Sequence, residues 1–127
     1  MPTPRDDLTP EERRVMFGGG TEPPFSGAFD LEFRDGTYYC NNCHSRLFTS
    51  DAKFDSGCGW PSFTEPSDSE NIVLIPDYSH GMVRTEVRCA HCEAHLGHLF
   101  EDGPADRGGK RYCINSLSLS FDPQARH

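Results

Sequence analysis

Hydrophobic and polar positions change their period along this chain, and the change separates a helical beginning from a β-rich remainder. Leu8 to Phe17 predicts one short helix: Thr9 is its cap, Pro10 takes the first helical position, Glu12 stands three residues after the cap, and Gly18-Gly19-Gly20 terminates it. Thr21 to Gly36 is rich in Gly, Pro and aromatic residues without a clear period, as expected of an irregular arm lying over the core. Beyond it the pattern turns β-like. Thr37-Tyr38-Tyr39 predicts a short strand, and the continuous apolar run Ile72-Val73-Leu74-Ile75 suits a buried one. Met82 to Arg88 alternates imperfectly, and Leu117, Leu119 and Phe121 recur at every second position. Short strands separated by Gly/Pro turns predict a mainly β fold: two antiparallel sheets in a sandwich or barrel, with the short helix at the N-terminal side.

The composition sharpens this picture. At 127 residues the chain is about one domain long, with a helical arm over about 8–20 and a β core over about 36–122. Only 35% of residues are hydrophobic, and 12 glycines and 10 prolines make the core smaller than the length implies, so a cross-link is expected to compensate. The net charge of -8, with no cluster of Lys and Arg to track phosphates, argues against nucleic acid as a partner. No segment approaches the roughly 20 apolar residues that cross a bilayer, and Met1 to Asp7 has no apolar signal core. A soluble, cytoplasmic chain without membrane contact is expected, and there six cysteines read better as metal ligands and redox groups than as the three disulfides of a secreted domain.

Four of those cysteines form two Cys-x-x-Cys pairs, Cys40/Cys43 and Cys89/Cys92, separated by 45 residues. Two such pairs supply all four thiolates of a closed tetrahedral zinc site, and an ion bound only by the folded chain offsets the entropy of closing so long a loop. A thioredoxin-like redox pair would need a βαβ pattern that is missing, and an iron-sulfur cluster is a further possibility on ligand grounds. His44 and His91 lie beside the ligands as bystanders.

Cys58 and Cys113 stand alone. In Arg111-Tyr112-Cys113-Ile114-Asn115, strand alternation points Arg111, Cys113 and Asn115 one way, where the guanidinium lowers the thiol pKa and favours a nucleophilic thiolate. A lone cysteine in such a run serves equally well as a small buried hydrophobe. Cys58 is flanked by Gly57 and Gly59, which predicts a mobile loop, as a thiol that must swing onto an oxidised partner requires. Trp60 fits either the core or the wall of an apolar subsite. His95 and His98 fit metal binding, acid-base work or plain hydrogen bonding, and their spacing does not choose.

Gly20-Thr21-Glu22, Pro24-Phe25-Ser26-Gly27, the string from Lys53 to Phe63, Arg84 to Cys89, His95 to Phe100 and Arg111 to Ser116 together resemble the B class of methionine-R-sulfoxide reductases, in the family's order and from about Leu8 to Phe121. The resemblance implies reduction of the R epimer of methionine sulfoxide in proteins and peptides, with Cys113 as nucleophile and Cys58 as resolving cysteine. It implies further that His98 and Asn115 polarise and protonate the sulfoxide oxygen, that His95 and Asp102 orient this network, that Arg111 favours the Cys113 thiolate, and that Trp60 and Phe100 enclose the methyl group. A Cys113 sulfenic acid, a Cys58/Cys113 disulfide and recycling by thioredoxin complete what is implied, on a monomer holding one structural Zn2+. Ser120 departs from the Arg that family members often carry, and the loop Ala105 to Lys110 is not family-determined. The competing reading is a non-catalytic zinc-binding interaction module or a thiol redox sensor on the same scaffold.

Overall fold

The computed structural model describes residues 6–18, 20–23, 25–27, 29–30, 32–78 and 83–123. Gly19, Pro24, Met82 and the residues before Asp6, which entered the expectations above, lie outside them. The first element is the expected helix, α1 (Pro10–Phe17). Thr9 Oγ1 accepts the Glu12 N–H at 3.1 Å while Glu12 Oε1 accepts the Thr9 N–H at 2.8 Å, so two of the backbone groups that a helix start leaves bare are satisfied reciprocally. Gly18 closes the other end by donating its N–H to Arg14 O. Val15 and Met16 are buried, and this face packs against residues 116–118 and the strand 95–100.

Among the described residues nine strands follow, in two antiparallel sheets. β1 (Gly36–Cys40), β2 (Arg46–Thr49) and β9 (Leu119–Pro123) form the smaller, in the order β2-β1-β9. The larger has the order β3-β4-β8-β7-β6-β5, built from β3 (Lys53–Phe54), β4 (Ser62–Phe63), β5 (Ile72–Asp77), β6 (Arg84–Cys89), β7 (His95–Phe100) and β8 (Arg111–Ile114). Large aromatic side chains hold the sheets together. Phe48 of β2 stacks on Phe63 of β4 at 4.3 Å between centroids, and Tyr38 of β1 meets Phe63 edge-on at 5.1 Å; all three are fully buried. Each such pair contributes about 0.5–1.5 kcal/mol beyond the area it buries.

Two expected strands differ from their sequence patterns. The apolar run at Ile72 is not a buried strand: β5 is the edge of the larger sheet, and of that run only Ile72 is buried, Val73 and Leu74 keeping 40% and 46% exposure. A short continuous apolar run has no alternation to distinguish a covered strand from an edge. The last strand starts at Leu119 rather than Leu117, because residues 116–118 form a 3-10 turn in which Ser118 N–H donates to Asn115 O. No helix among the described residues is long and apolar enough to cross a membrane.

Gly97 sets the spacing of β7 and β8, since a Cβ there would collide with the carbonyl oxygen of Cys113. Gly97→Ala should therefore cost about 1–3 kcal/mol through forced strand separation. Chemical denaturation of the variant against wild type measures this, and an unchanged midpoint would show that the sheet yields without cost.

Candidate active site

Antiparallel register places Ser62, Cys113, His98 and Glu86 in one row across β4, β8, β7 and β6. In β8, Tyr112 and Ile114 are buried on one face, while Arg111 and Cys113 open on the other, with Asn115 beyond the strand, into a pocket of about 200 Å³. A register shift at Val87/Arg88, opposite β7, changes the parity of its side chains. Residues three apart in a regular strand face opposite ways, whereas an extra residue brings both to one side. The His95 and His98 rings consequently meet edge-on at 5.4 Å.

Cys58 reaches the same pocket from the loop after β3. Gly57 and Gly59 adopt φ of 75° and 94°, Gly57 N–H donates to Asp55 Oδ1, and Gly59 O accepts the Phe25 N–H at 2.7 Å. The Cys58 sulfur stands 3.6 Å from that of Cys113, and both thiols are free. The swing expected of a distant mobile loop is thus unnecessary, because disulfide sulfurs are about 2.05 Å apart and closure asks for a shift on the order of 1.5 Å. Trp60 and Phe100 also line the pocket; the Trp60 indole N–H donates to Glu22 O at 3.0 Å, and Phe100 lies 4.5 Å beneath the Arg111 guanidinium.

The polar partners differ from those expected. His98 Nε2 pairs with Asp77 Oδ2 at 2.8 Å, not with Asp102, which instead holds Arg111 through two bonds of 2.9 and 3.1 Å. His95 does not line the pocket: it stands behind it, bonded through Nδ1 to Glu86 Oε2 at 2.7 Å and close to Met16 and Phe17. Asn115 is committed to scaffolding on both ends of its amide, Nδ2 donating to Leu96 O and Oδ1 accepting the Glu22 N–H, which leaves one Nδ2 hydrogen for a ligand. Asp77, Glu86, Glu22, Arg84 and Thr21 were missed as site residues. Asp77 and Arg84 face each other across the β5–β6 pair, a relation visible in sequence only once that hairpin is registered.

The two Cys-x-x-Cys segments fold into matching turns. His44 N–H donates to Cys40 O and Glu93 N–H to Cys89 O, with φ of 64° at His44 and 61° at Glu93; Cys40 N–H and Cys89 N–H then return to Ser45 O and Ala94 O. Their four sulfurs converge within 4.8 Å of one another, Cys40 at 3.6 Å from Cys92 and Cys43 at 3.5 Å from Cys89. Sulfurs about 2.3 Å from a central ion in a tetrahedron lie about 3.8 Å apart, so the donor set fits a metal ion. Neither His44, beside Tyr39, nor His91, bonded to Asn71, belongs to the cluster. Asn41, inside the first turn, ties it to the rest of the molecule: its side chain donates to Glu12 Oε2 and Leu117 O, and its N–H to Ser118 O.

The SelR domain model matches residues 8–123. The chain belongs to the SelR domain family. It is 56% identical over 117 residues to the peptide methionine sulfoxide reductase MsrB of Pseudomonas entomophila (strain L48), covering 92% of this chain and 88% of that protein. The protein of the same name from Pseudomonas putida (strain GB-1) is 53% identical over 120 residues, covering 94% and 91%. That from Bradyrhizobium diazoefficiens is 52% identical over 120 residues, covering 94% and 86%. The crystal structure of the Mis18 "Yippee-like" domain superposes with a TM-score of 0.55 at 15% identity, covering 73% of this chain and all of that one, a likeness of fold alone.

In this SelR domain the two pocket thiols have opposite proton affinities. Burial pushes Cys113 up, Cys58 adds to the push, and the opposing pull of Arg111 is outweighed, so the expected resting thiolate at Cys113 is not what the geometry favours. Burial also raises Cys58, but hydrogen bonds from the Ser56 and Ser62 hydroxyls, followed by that from Cys113, help bring it below an ordinary thiol. A limiting amount of iodoacetamide at neutral pH should therefore label Cys58 before Cys113. Its pH–rate profile should turn upward below the ordinary cysteine range and that of Cys113 above it; peptide mass mapping that finds Cys113 labelled first would reverse the order.

Proposed function

We propose that this SelR domain, as a single domain, reduces the R epimer of methionine sulfoxide in peptides and proteins. The observation that carries the reading is a pair of free thiols 3.6 Å apart at a pocket of about 200 Å³ walled by Trp60 and Phe100. An aromatic wall suits a thioether's methyl group, while the neighbouring His98 and Asn115 suit its oxygen.

Cys113 attacks the sulfoxide sulfur. An unprotonated oxide leaves poorly, so His98, aligned by Asp77, and the remaining Asn115 donor act at that oxygen. The protonated oxygen then passes from the sulfoxide sulfur to the Cys113 sulfur as the bond between the two sulfurs breaks; two electrons have passed from Cys113 to the substrate, methionine departs as the thioether, and Cys113 is left as sulfenic acid. The Cys58 sulfur then displaces that oxygen as water and forms the Cys58/Cys113 disulfide. A protein dithiol of the thioredoxin kind returns two electrons and two protons, restoring both thiols. Arg111, fixed by Asp102, moderates the cost of charge on Cys113, and His95 supports the His98 ring from behind.

Cys40, Cys43, Cys89 and Cys92 would hold zinc, whose contribution is folding energy rather than redox chemistry. A divalent ion bound there would hold all four as thiolates.

Separated R and S sulfoxides supplied with dithiothreitol test the reaction. Turnover of the R epimer, abolished in Cys113→Ser, is expected; turnover of S alone refutes it. Cys58→Ser should still yield one methionine per chain but lose thioredoxin-dependent recycling, whereas a non-catalytic module yields none with or without Cys58.

The metal assignment predicts one zinc per chain by elemental analysis. Cys89→Ser should release it and lower the melting temperature. Metal loss without any change in melting would remove the structural role.

A further inference from the structure

Glu22 carries a carboxyl that the steps above do not use, yet it is 1% exposed and connects several parts of the pocket. Its carbonyl oxygen accepts the Trp60 indole N–H, its own N–H donates to Asn115 Oδ1 at 3.1 Å, and its Oε1 accepts the Leu117 N–H at 2.9 Å. One residue of the irregular arm thus holds a wall of the pocket, the amide of Asn115 and the turn that follows it.

Glu22 Oε2 is different. It is buried with no hydrogen-bond partner among the described residues, and a Cβ on Gly27 would collide with both Oε2 and Ser116 Oγ, so the arm is pressed tightly onto this carboxyl. Ser116 Oγ already accepts the Phe29 N–H. No ion pair to Glu22 is found among the described residues. A buried carboxylate lacking both a cation and a full set of donors is strongly disfavoured, whereas a carboxylic acid removes the charge and turns the bare oxygen into a donor facing the Ser116 hydroxyl. Burial pushes the Glu22 carboxyl above its usual range, ahead of the backbone N–H groups of Leu117 and Ser116 and the Ser116 hydroxyl that pull it down, and the charge of Asp30 adds to the push.

We propose that Glu22 is the positioning residue of this pocket, a neutral carboxylic acid that locks the arm onto residues 115–117 and thereby holds the Trp60 indole and the Asn115 amide in place. Among the described residues it makes no hydrogen bond to Cys58 or Cys113, although a charge on it would push Cys113 further up. The kinetic part of its test rests on the reductase reading, whereas the spectroscopic parts stand without it.

Trp60 is the sole tryptophan, so its emission reports this contact directly. In the full-length reduced protein, Glu22→Ala should shift that emission to the red and increase its quenching by acrylamide while cooperative melting is retained. Its kcat/KM on a methionine sulfoxide peptide should fall about tenfold, the scale of one lost neutral hydrogen bond. Glu22→Gln, which keeps the shape and a donor without the charge, should restore both emission and kcat/KM. The infrared difference between wild type and Glu22→Gln at pH 7 should contain a protonated carboxyl stretch and no carboxylate bands. Carboxylate bands, a wild-type emission in Glu22→Ala, or a Glu22→Gln protein as impaired as Glu22→Ala would each overturn the proposal. Should Glu22→Ala fail to fold, the infrared spectrum and the Glu22→Gln protein decide it. A wild-type protein that reduces no sulfoxide sinks the reductase reading, while emission and infrared still decide the role of Glu22.

Discussion

Four sulfurs fix the relation between the two sheets. Cys40 and Cys43 lie on the turn between β1 and β2 of the smaller sheet, and Cys89 and Cys92 on the turn between β6 and β7 of the larger. Their convergence within 4.8 Å pins one end of the interface whose interior is filled by Phe48, Phe63 and Tyr38. With only 35% of the chain hydrophobic, this pin supplements a limited core. β7 leaves one of the pinned turns and carries Gly97 and His98 directly to the edge of Cys113, so the register that assembles the pocket begins at the cluster.

At the pocket, low dielectric and close sulfurs pull in opposite senses. Burial keeps the Cys113 thiol protonated at rest, while its neighbour 3.6 Å away gathers hydrogen bonds that favour a thiolate. The more readily ionised sulfur is thus the one beside the hydroxyl groups of Ser56 and Ser62, on the loop side of the pair.

How far the sequence could lead depended on whether a feature was local. The capping box of Thr9 and Glu12, the spacing of the two Cys-x-x-Cys pairs and the alternation of Arg111, Cys113 and Asn115 are short-range patterns, and each was legible. Val73 and Leu74 misled because exposure at a sheet edge is decided by what fails to pack there, which an apolar run does not encode. The carboxylates were hardest. The resemblance gave Asp102 a part in orienting the network around His98, but the register places Asp77 beside that ring and leaves Asp102 for Arg111. The distance between Cys58 and Cys113, 55 residues apart along the chain, likewise came only from the pairing of β4 with β8.

Leu117 belongs to both ends of the molecule. Its carbonyl oxygen takes the Asn41 side chain from within the first cysteine turn, and its N–H is held by Glu22, which in turn carries Trp60 and Asn115. Three hydrogen bonds and two residues, Leu117 and Glu22, therefore separate the first cysteine turn from the wall of the pocket. Fold anchor and reaction chamber are in this sense joined through one side of the molecule, by hydrogen bonds that converge on Leu117 and Glu22.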